Sequence, residues 1–133
     1  MNRTLLILSC LAATVPAHAD ARDALEGVWR NRPHTLVVRI APCGPALCGT
    51  VVEADADAQA STRRAGTPNL IGTQVLSQLR RSAKDTYKGQ VYNPNLNIHA
   101  AGTVTLVSSS TLLVEGCVLG GLICRHQHWT RIG

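Results

Sequence analysis

The chain has 133 residues and a formal net charge of +5, with 45% hydrophobic but only 16% charged residues. This length suits one domain, and the low charge content excludes a generally disordered chain. No motif of a dinucleotide site, a P-loop, a zinc protease or a serine hydrolase is present, so these enzyme classes have no support in the sequence.

Residues 1–19 are predicted to be a secretory signal peptide. Arg3 provides a basic start, the stretch from Leu5 to Val15 is apolar, and residues 17–19 have the small-x-small pattern of a cleavage site. The apolar stretch is too short to span a bilayer, and no second one follows it. We therefore predict a periplasmic protein that does not span the membrane and has one domain over residues 20–133.

Strand patterns dominate the rest of the chain. Segments rich in β-branched residues alternate with turns that contain Pro, Gly, Asn or Ser, which predicts seven or eight short antiparallel strands. Such a chain folds as an up-and-down barrel or a sandwich. The strands predicted from these patterns are Gly27–Asn31, Thr35–Ile40, Cys48–Ala54, Thr86–Tyr92, Ile98–Val107, Thr111–Val118 and Leu122–Ile132.

Two central segments have less clear patterns. Residues 54–69 lack periodicity and are long for a hairpin connection, so we expect a lid, a binding loop or a mobile connection with Asp55 and Asp57 solvated. In residues 70–79, Ile71, Val75 and Leu79 recur every four positions. This spacing fits one face of a helix and also one face of a strand, so both structures stay open.

Four cysteines follow the signal peptide, and an even number in an exported domain indicates two disulfides. Cys43 and Cys48 flank one turn, and Cys117 and Cys124 flank another, as cross-strand neighbours in hairpins do. Such short loops contribute roughly 2–2.5 kcal/mol each, against about 4.5 for a long-range bridge. Hairpin geometry nevertheless favours the two local pairs. The C-x4-C and C-x6-C spacings are not those of a zinc site.

Several motifs occur in a fixed order along the domain. They are G-V-W at Gly27–Trp29, the C-G-x-x-L-C-G of Cys43–Gly49, Leu70–Gly72, the G-Q-V-Y-N-P of Gly89–Pro94, and the ending Gly116–Arg131.

Through these motifs the chain from Gly27 to Arg131 resembles the uncharacterised bacterial domain-of-unknown-function family 2147. The resemblance implies a small exported β-barrel of lipocalin-like type and brings no established activity, cofactor or ligand. After Tyr92 the family has Asp-Pro and an acidic turn with glycine, whereas residues 93–97 here read Asn-Pro-Asn-Leu-Asn.

The Gly27-x-Trp29 triplet resembles the opening motif of the wider lipocalin-like group. In that group the Trp closes the barrel base beneath a basic residue from the last strand. The resemblance implies that Arg131, near Trp129, is this partner, with Arg125 as a second choice. Cation–π packing of this kind is worth roughly 0.5–2 kcal/mol.

The Cys117–Cys124 pair predicts the register of the last hairpin. Because Trp129 belongs to the core, Arg125, Gln127 and Arg131 on the same face should point inward. The pairs expected in this register are Glu115–His126, Leu113–His128, Val114–Gln127 and Leu112–Trp129.

Candidate ligand contacts are Arg125, Gln127 and Tyr92. An inward Gln or Arg must bond buried backbone and water or meet a polar group of a ligand. His126 and His128 share the solvent face, where two histidines and a distant carboxylate do not make a metal site. We predict no metal, no cofactor and no catalytic residues, because pairing of the cysteines removes the thiolate nucleophile.

The middle of the chain is basic, but nucleic acid is an unsuitable partner because only Tyr87 is available there for stacking. Two interpretations of these basic residues remain: they contact anionic lipid of the envelope, or they form a solvated surface. The basic residues are Arg63, Arg64, Arg80, Arg81, Lys84 and Lys88. Two functions stay open. The domain either carries a small, partly apolar molecule or is a ligand-free structural or interaction module of the envelope, and the sequence leaves its oligomeric state undetermined.

Overall fold

Eight antiparallel strands close into a barrel in the computed structural model, which describes residues 10–13 and 22–133. Each strand pairs with the next along the chain, and β1 also pairs with β8. The predicted up-and-down barrel is therefore confirmed. The predicted signal peptide and its cleavage site fall mainly outside the described residues. The strands are β1 Gly27–Asn31, β2 Leu36–Cys43, β3 Ala46–Ala54, β4 Gln74–Ala83, β5 Thr86–Asn93, β6 Ile98–Ser108, β7 Thr111–Val118 and β8 Ile123–Arg131.

The ambiguous segment, residues 70–79, is a strand from Gln74 onward, whereas Ile71 is exposed in the turn before it. In β4, Val75, Leu76 and Leu79 are all buried, although regular alternation would expose one of two adjacent residues. The strand is irregular because Gln78 has a φ of 53° and the register shifts between Ser77 and Arg80. This bulge allows Leu76 and Leu79, which are three positions apart, to be buried on the same side of the sheet.

The connection between β3 and β4 is not an unstructured loop: it contains the helix α1, Ala56–Ala65. Asp55 is exposed, as expected, and its carboxylate also caps the helix by accepting a 2.7 Å hydrogen bond from the Ala58 amide. Gly66 ends the helix in the left-handed conformation. The alanines have high helix propensity, but they give no strong apolar period.

The barrel has one closed end and one open end. The closed end contains the N-terminal approach to β1 and the hairpins β2–β3, β4–β5 and β6–β7, and the core residues Leu25, Trp29 and Tyr87 are buried towards it. The open end contains the β1–β2, β5–β6 and β7–β8 connections together with α1. Among the described residues, no helix is both long and apolar enough to cross a membrane.

Candidate functional site

The closed end is sealed by Trp29 and Arg131. The guanidinium carbon of Arg131 lies 4.2 Å from the centre of the Trp29 ring, and the indole donates a 3.0 Å hydrogen bond to the Leu25 carbonyl. Arg131 also donates to the carbonyls of Ala24 and Glu26, at 2.6 and 2.8 Å. One side chain from the end of β8 thus fastens the segment before β1 beneath the barrel, in the position that the resemblance implied.

A second contact fastens the same segment. The Tyr87 hydroxyl donates a hydrogen bond to the Asp23 carboxylate, and Arg81 donates to the Tyr87 oxygen at 2.6 Å. Burial and the Asp23 carboxylate raise the pKa of Tyr87. Partial burial alone would raise the pKa of Asp23, but hydrogen bonds from Tyr87 and from the Leu25 amide, with the charge of Arg81, lower it overall.

A cavity of about 490 Å³ lies at the open end of the barrel. Its walls are mainly apolar and include Leu76, Val91 and Val114, and Trp129 lies on its lining. Thr62 and Ala58 of α1 also line it, which places the helix across part of the opening. The volume falls in the range of about 300–1,000 Å³ that is typical of small-molecule sites.

Gly116 of β7 leaves space on the lining of the cavity. Its paired neighbours in the same row are closely packed instead, since a Cβ on Gly102 would clash with a Val91 methyl carbon and one on Gly89 would lie 2.5 Å from the Ser77 carbonyl oxygen. A Cβ on Gly116 would lie 3.7 Å from the nearest Val91 atom, which is ordinary contact distance. Space beside Gly116 is therefore open to the cavity rather than filled by packing.

The register of the last hairpin is the predicted one, with Glu115 opposite His126 and Val114 opposite Gln127. Arg125 and Gln127 both line the cavity. Arg125 is exposed at the mouth, and no described carboxylate forms an ion pair with it, since the described ion pair joins Arg81 and Asp23.

Gln127 and Tyr92 have partners within the protein. The Gln127 amide oxygen accepts a 2.7 Å hydrogen bond from the Trp129 indole. The Tyr92 hydroxyl donates to the Asn97 side chain at 2.8 Å and lies 2.6 Å from the Thr67 hydroxyl. Tyr92 lines the cavity, but its polar atom holds the segment after α1 against the β5–β6 hairpin.

The helix α1, which lies across part of the opening, was not among the predicted parts of the site. Thr62 is buried in α1 and lines the cavity, with its hydroxyl donating to the Ala58 carbonyl at 3.0 Å. The signal available in the sequence was the pair of caps, Asp55 and Gly66, around an alanine-rich segment.

Both local cysteine pairs lie at disulfide distance. The Cα atoms of Cys43 and Cys48 are 5.8 Å apart at the closed end, and those of Cys117 and Cys124 are 4.1 Å apart at the open end. Glu115 lies beside the second pair, but sulfurs bonded to each other offer no thiolate to a metal. His126 and His128 are exposed.

The basic residues do not form one patch. Arg63 and Arg64 lie in the last turn of α1 at the open end. Arg80 and Arg81 lie in the second half of β4, and Lys84 follows in the β4–β5 turn at the closed end. The barrel therefore separates two groups that are close in the sequence.

One known structure supports the fold. A protein from the human pathogen Helicobacter pylori, described as belonging to the lipocalin family, superposes with a TM-score of 0.62 and 18% identity over 82% of this chain and 83% of that one. A redesigned β-barrel gives a TM-score of 0.47 and 16% identity over 83% of this chain and 92% of that one. No curated protein matches the sequence. The family model described as uncharacterized proteins conserved in bacteria (DUF2147) matches residues 27–131, and the chain therefore belongs to this family.

Proposed function

We propose that this protein binds a small, partly apolar molecule inside its barrel. The observation that carries the proposal is the cavity of about 490 Å³, with mainly apolar walls and, at its mouth, Arg125, which forms no ion pair with a described carboxylate. Concave, mostly apolar sites with a few polar groups are typical of small-molecule binding. The proposal contains no catalytic step, because the four barrel cysteines are paired and supply no thiolate.

The lining residues indicate the chemistry of the ligand. Its apolar part would pack against Leu76, Val91 and Val114. Its polar end would face Arg125, whose guanidinium favours an anionic or hydrogen-bond-accepting group. The amide nitrogen of Gln127 can donate to the same end, while its oxygen stays bonded to Trp129.

We further propose that binding takes place in the periplasm, after removal of residues 1–19. The predicted signal peptide supports this location, and two disulfides are typical of oxidising compartments. The test is the intact mass of the protein recovered from the periplasmic fraction of its host. The expected mass corresponds to a chain that starts at Asp20 and lacks four hydrogens. A full-length chain confined to the cytoplasm would overturn the proposal.

The binding experiment begins with native mass spectrometry of the protein purified from its own host, where we expect a reproducible small adduct. A second measurement uses the fluorescent probe 8-anilinonaphthalene-1-sulfonate, which combines aromatic rings with an anionic group. Gly116→Leu fills the cavity, and we expect it to remove the adduct and weaken probe binding at least about tenfold, or about 1.4 kcal/mol. Arg125→Gln should weaken probe binding while the cavity stays open.

Thr103→Leu is the matched control, because Thr103 lies on the neighbouring strand β6 and does not line the cavity. It should leave both adduct and probe binding unchanged. The proposal of ligand binding would be wrong if the purified protein carried no adduct and if Gly116→Leu bound the probe as well as wild type does. The alternative, a ligand-free interaction module of the envelope, would then be the better description.

A further inference from the structure

Exposed apolar side chains are concentrated around the mouth of the cavity. Leu96 and Ile98 lie on the β5–β6 hairpin, and Leu119, Leu122 and Ile123 lie on the β7–β8 hairpin. We call these five residues the apolar rim. The exposed fractions are 57% for Leu96, 68% for Leu119 and 86% for Leu122.

The two hairpins are neighbours, because β6 pairs with β7 along the barrel wall. Leu96, Ile98 and Ile123 line the same cavity, so the rim residues are grouped at one end of the barrel. At the closed end, the exposed large apolar residues among those described are Val107 and Ile132. Contiguous exposed apolar surface of this kind marks an interaction site, whereas single exposed apolar residues are normal.

Charges beside the rim are basic. The C-terminal end of α1 lies against the β5–β6 hairpin, since the Ser61 hydroxyl donates to the Asn95 side chain at 3.1 Å. Arg63 and Arg64 in the last turn of the helix are consequently held near the rim, while Asp55 and Asp57 lie at its opposite end.

No carboxylate offsets these cations within the hairpins themselves. Residues 91–102 and 116–125 contain neither Asp nor Glu, and the second segment adds Arg125 at the mouth of the cavity. An apolar surface with cations around it is complementary to anionic lipid, whose headgroups attract arginine while the acyl boundary accepts leucine and isoleucine.

We propose that the apolar rim, together with Arg63 and Arg64, docks the open end of the barrel onto an anionic lipid surface. Docking in this orientation turns the mouth of the cavity towards the membrane. The interaction deepens the proposed function, because an apolar ligand could then pass between lipid and cavity without crossing water. Docking itself does not depend on a filled cavity.

The experiment measures flotation of the intact domain with vesicles of phosphatidylglycerol and phosphatidylethanolamine, and separately with vesicles of phosphatidylcholine alone. We expect binding to the anionic vesicles, weak binding to the neutral ones, and loss of most binding at about 1 M salt, where charges are screened beyond about 3 Å. Leu119→Ser combined with Leu122→Ser should reduce partitioning at least about tenfold, because both side chains leave the apolar surface.

Each substitution has a matched control at the closed end. Val107→Ser combined with Ile132→Ser removes the same kind of exposed apolar surface and should leave partitioning within about twofold. Arg63→Gln combined with Arg64→Gln should weaken anionic binding and flatten its salt dependence. Arg80→Gln combined with Lys84→Gln makes the same change in net charge and should have a smaller effect.

Equal losses in the rim and closed-end variants would overturn the proposal, as would binding that does not distinguish anionic from neutral vesicles. Self-association through the rim, seen as a dimer that the Leu119→Ser and Leu122→Ser variant abolishes while vesicles are not bound, would assign the rim to a second copy of the chain. Gly116→Leu separates the two proposals, since it should abolish occupancy of the cavity and leave vesicle binding intact.

Discussion

Trp129 and Gln127, two residues apart on β8, are joined by a 2.7 Å hydrogen bond from the indole nitrogen to the amide oxygen. Residues two positions apart on a strand face the same side, so the buried ring and the half-buried amide meet inside the barrel. This bond gives Gln127 a structural role in addition to its place on the cavity lining.

Replacement of Gln127 by Leu should therefore destabilise the protein. The indole nitrogen of Trp129 would lose its acceptor in a buried position, and we expect the free energy of unfolding to fall by about 1–3 kcal/mol. Denaturant unfolding monitored by circular dichroism measures this change. His128→Ala on the exposed side of the same strand is the control, and an equal loss there would contradict the assigned facing of β8.

Arg131→Met should loosen the closed end. The variant keeps an apolar stem over Trp29 but loses the cation and its bonds to the carbonyls of Ala24 and Glu26. We expect a loss of about 1.5–3 kcal/mol in stability. The rate of amide hydrogen exchange should increase most at Leu25 and Val28. Arg125→Met at the open end should leave that exchange unchanged, and the idea fails if both variants behave alike.

Asp23→Asn should remove a pH-dependent part of the stability. The folded pKa of Asp23 is lowered, so between the folded and unfolded pKa values the unfolded chain binds more protons than the folded one. The stabilisation is complete above the unfolded pKa of about 3.9 and disappears as the pH falls through that value towards the folded pKa. Urea unfolding is measured from pH 7 to pH 2.5. At neutral pH the free energy of unfolding should be higher for wild type than for Asp23→Asn, and this difference should disappear in acid.

The control for this pH series is Asp57→Asn, which makes the same change in charge on exposed α1, away from Arg81 and Tyr87. Its free energy of unfolding should differ little from that of wild type. A difference for Asp23→Asn that persists unchanged at pH 2.5 would show that the carboxylate charge is not the stabilising group.

Peptide mapping without reduction tests the cysteine pairs. We expect one linked peptide containing Cys43 and Cys48 and another containing Cys117 and Cys124. Reduction should lower stability by roughly 2–2.5 kcal/mol for each bridge, because the closed loops are short. Recovery of a peptide that links Cys43 to Cys117 or Cys124 would refute this pairing.

The sequence by itself determined seven of the eight strands and the register of the last hairpin. β1 and β7 begin and end at the predicted residues, since turn residues bound them closely. The register of β7 and β8 follows from a short-range constraint, the Cys117–Cys124 pair, which is visible without any tertiary information.

Only the tertiary structure decided the cavity, the position of α1 and the apolar rim. A cavity depends on which strands surround the same space, and no local pattern shows that Gly116 of β7 and Leu76 of β4 both line it. The helix could not be predicted from an apolar pattern, because the residues that face the barrel are Ala58 and Thr62. Their side chains are small or polar and give no apolar periodicity. Likewise, Leu96 and Leu122 are distant in sequence, and they lie at the same end of the barrel only because β6 pairs with β7.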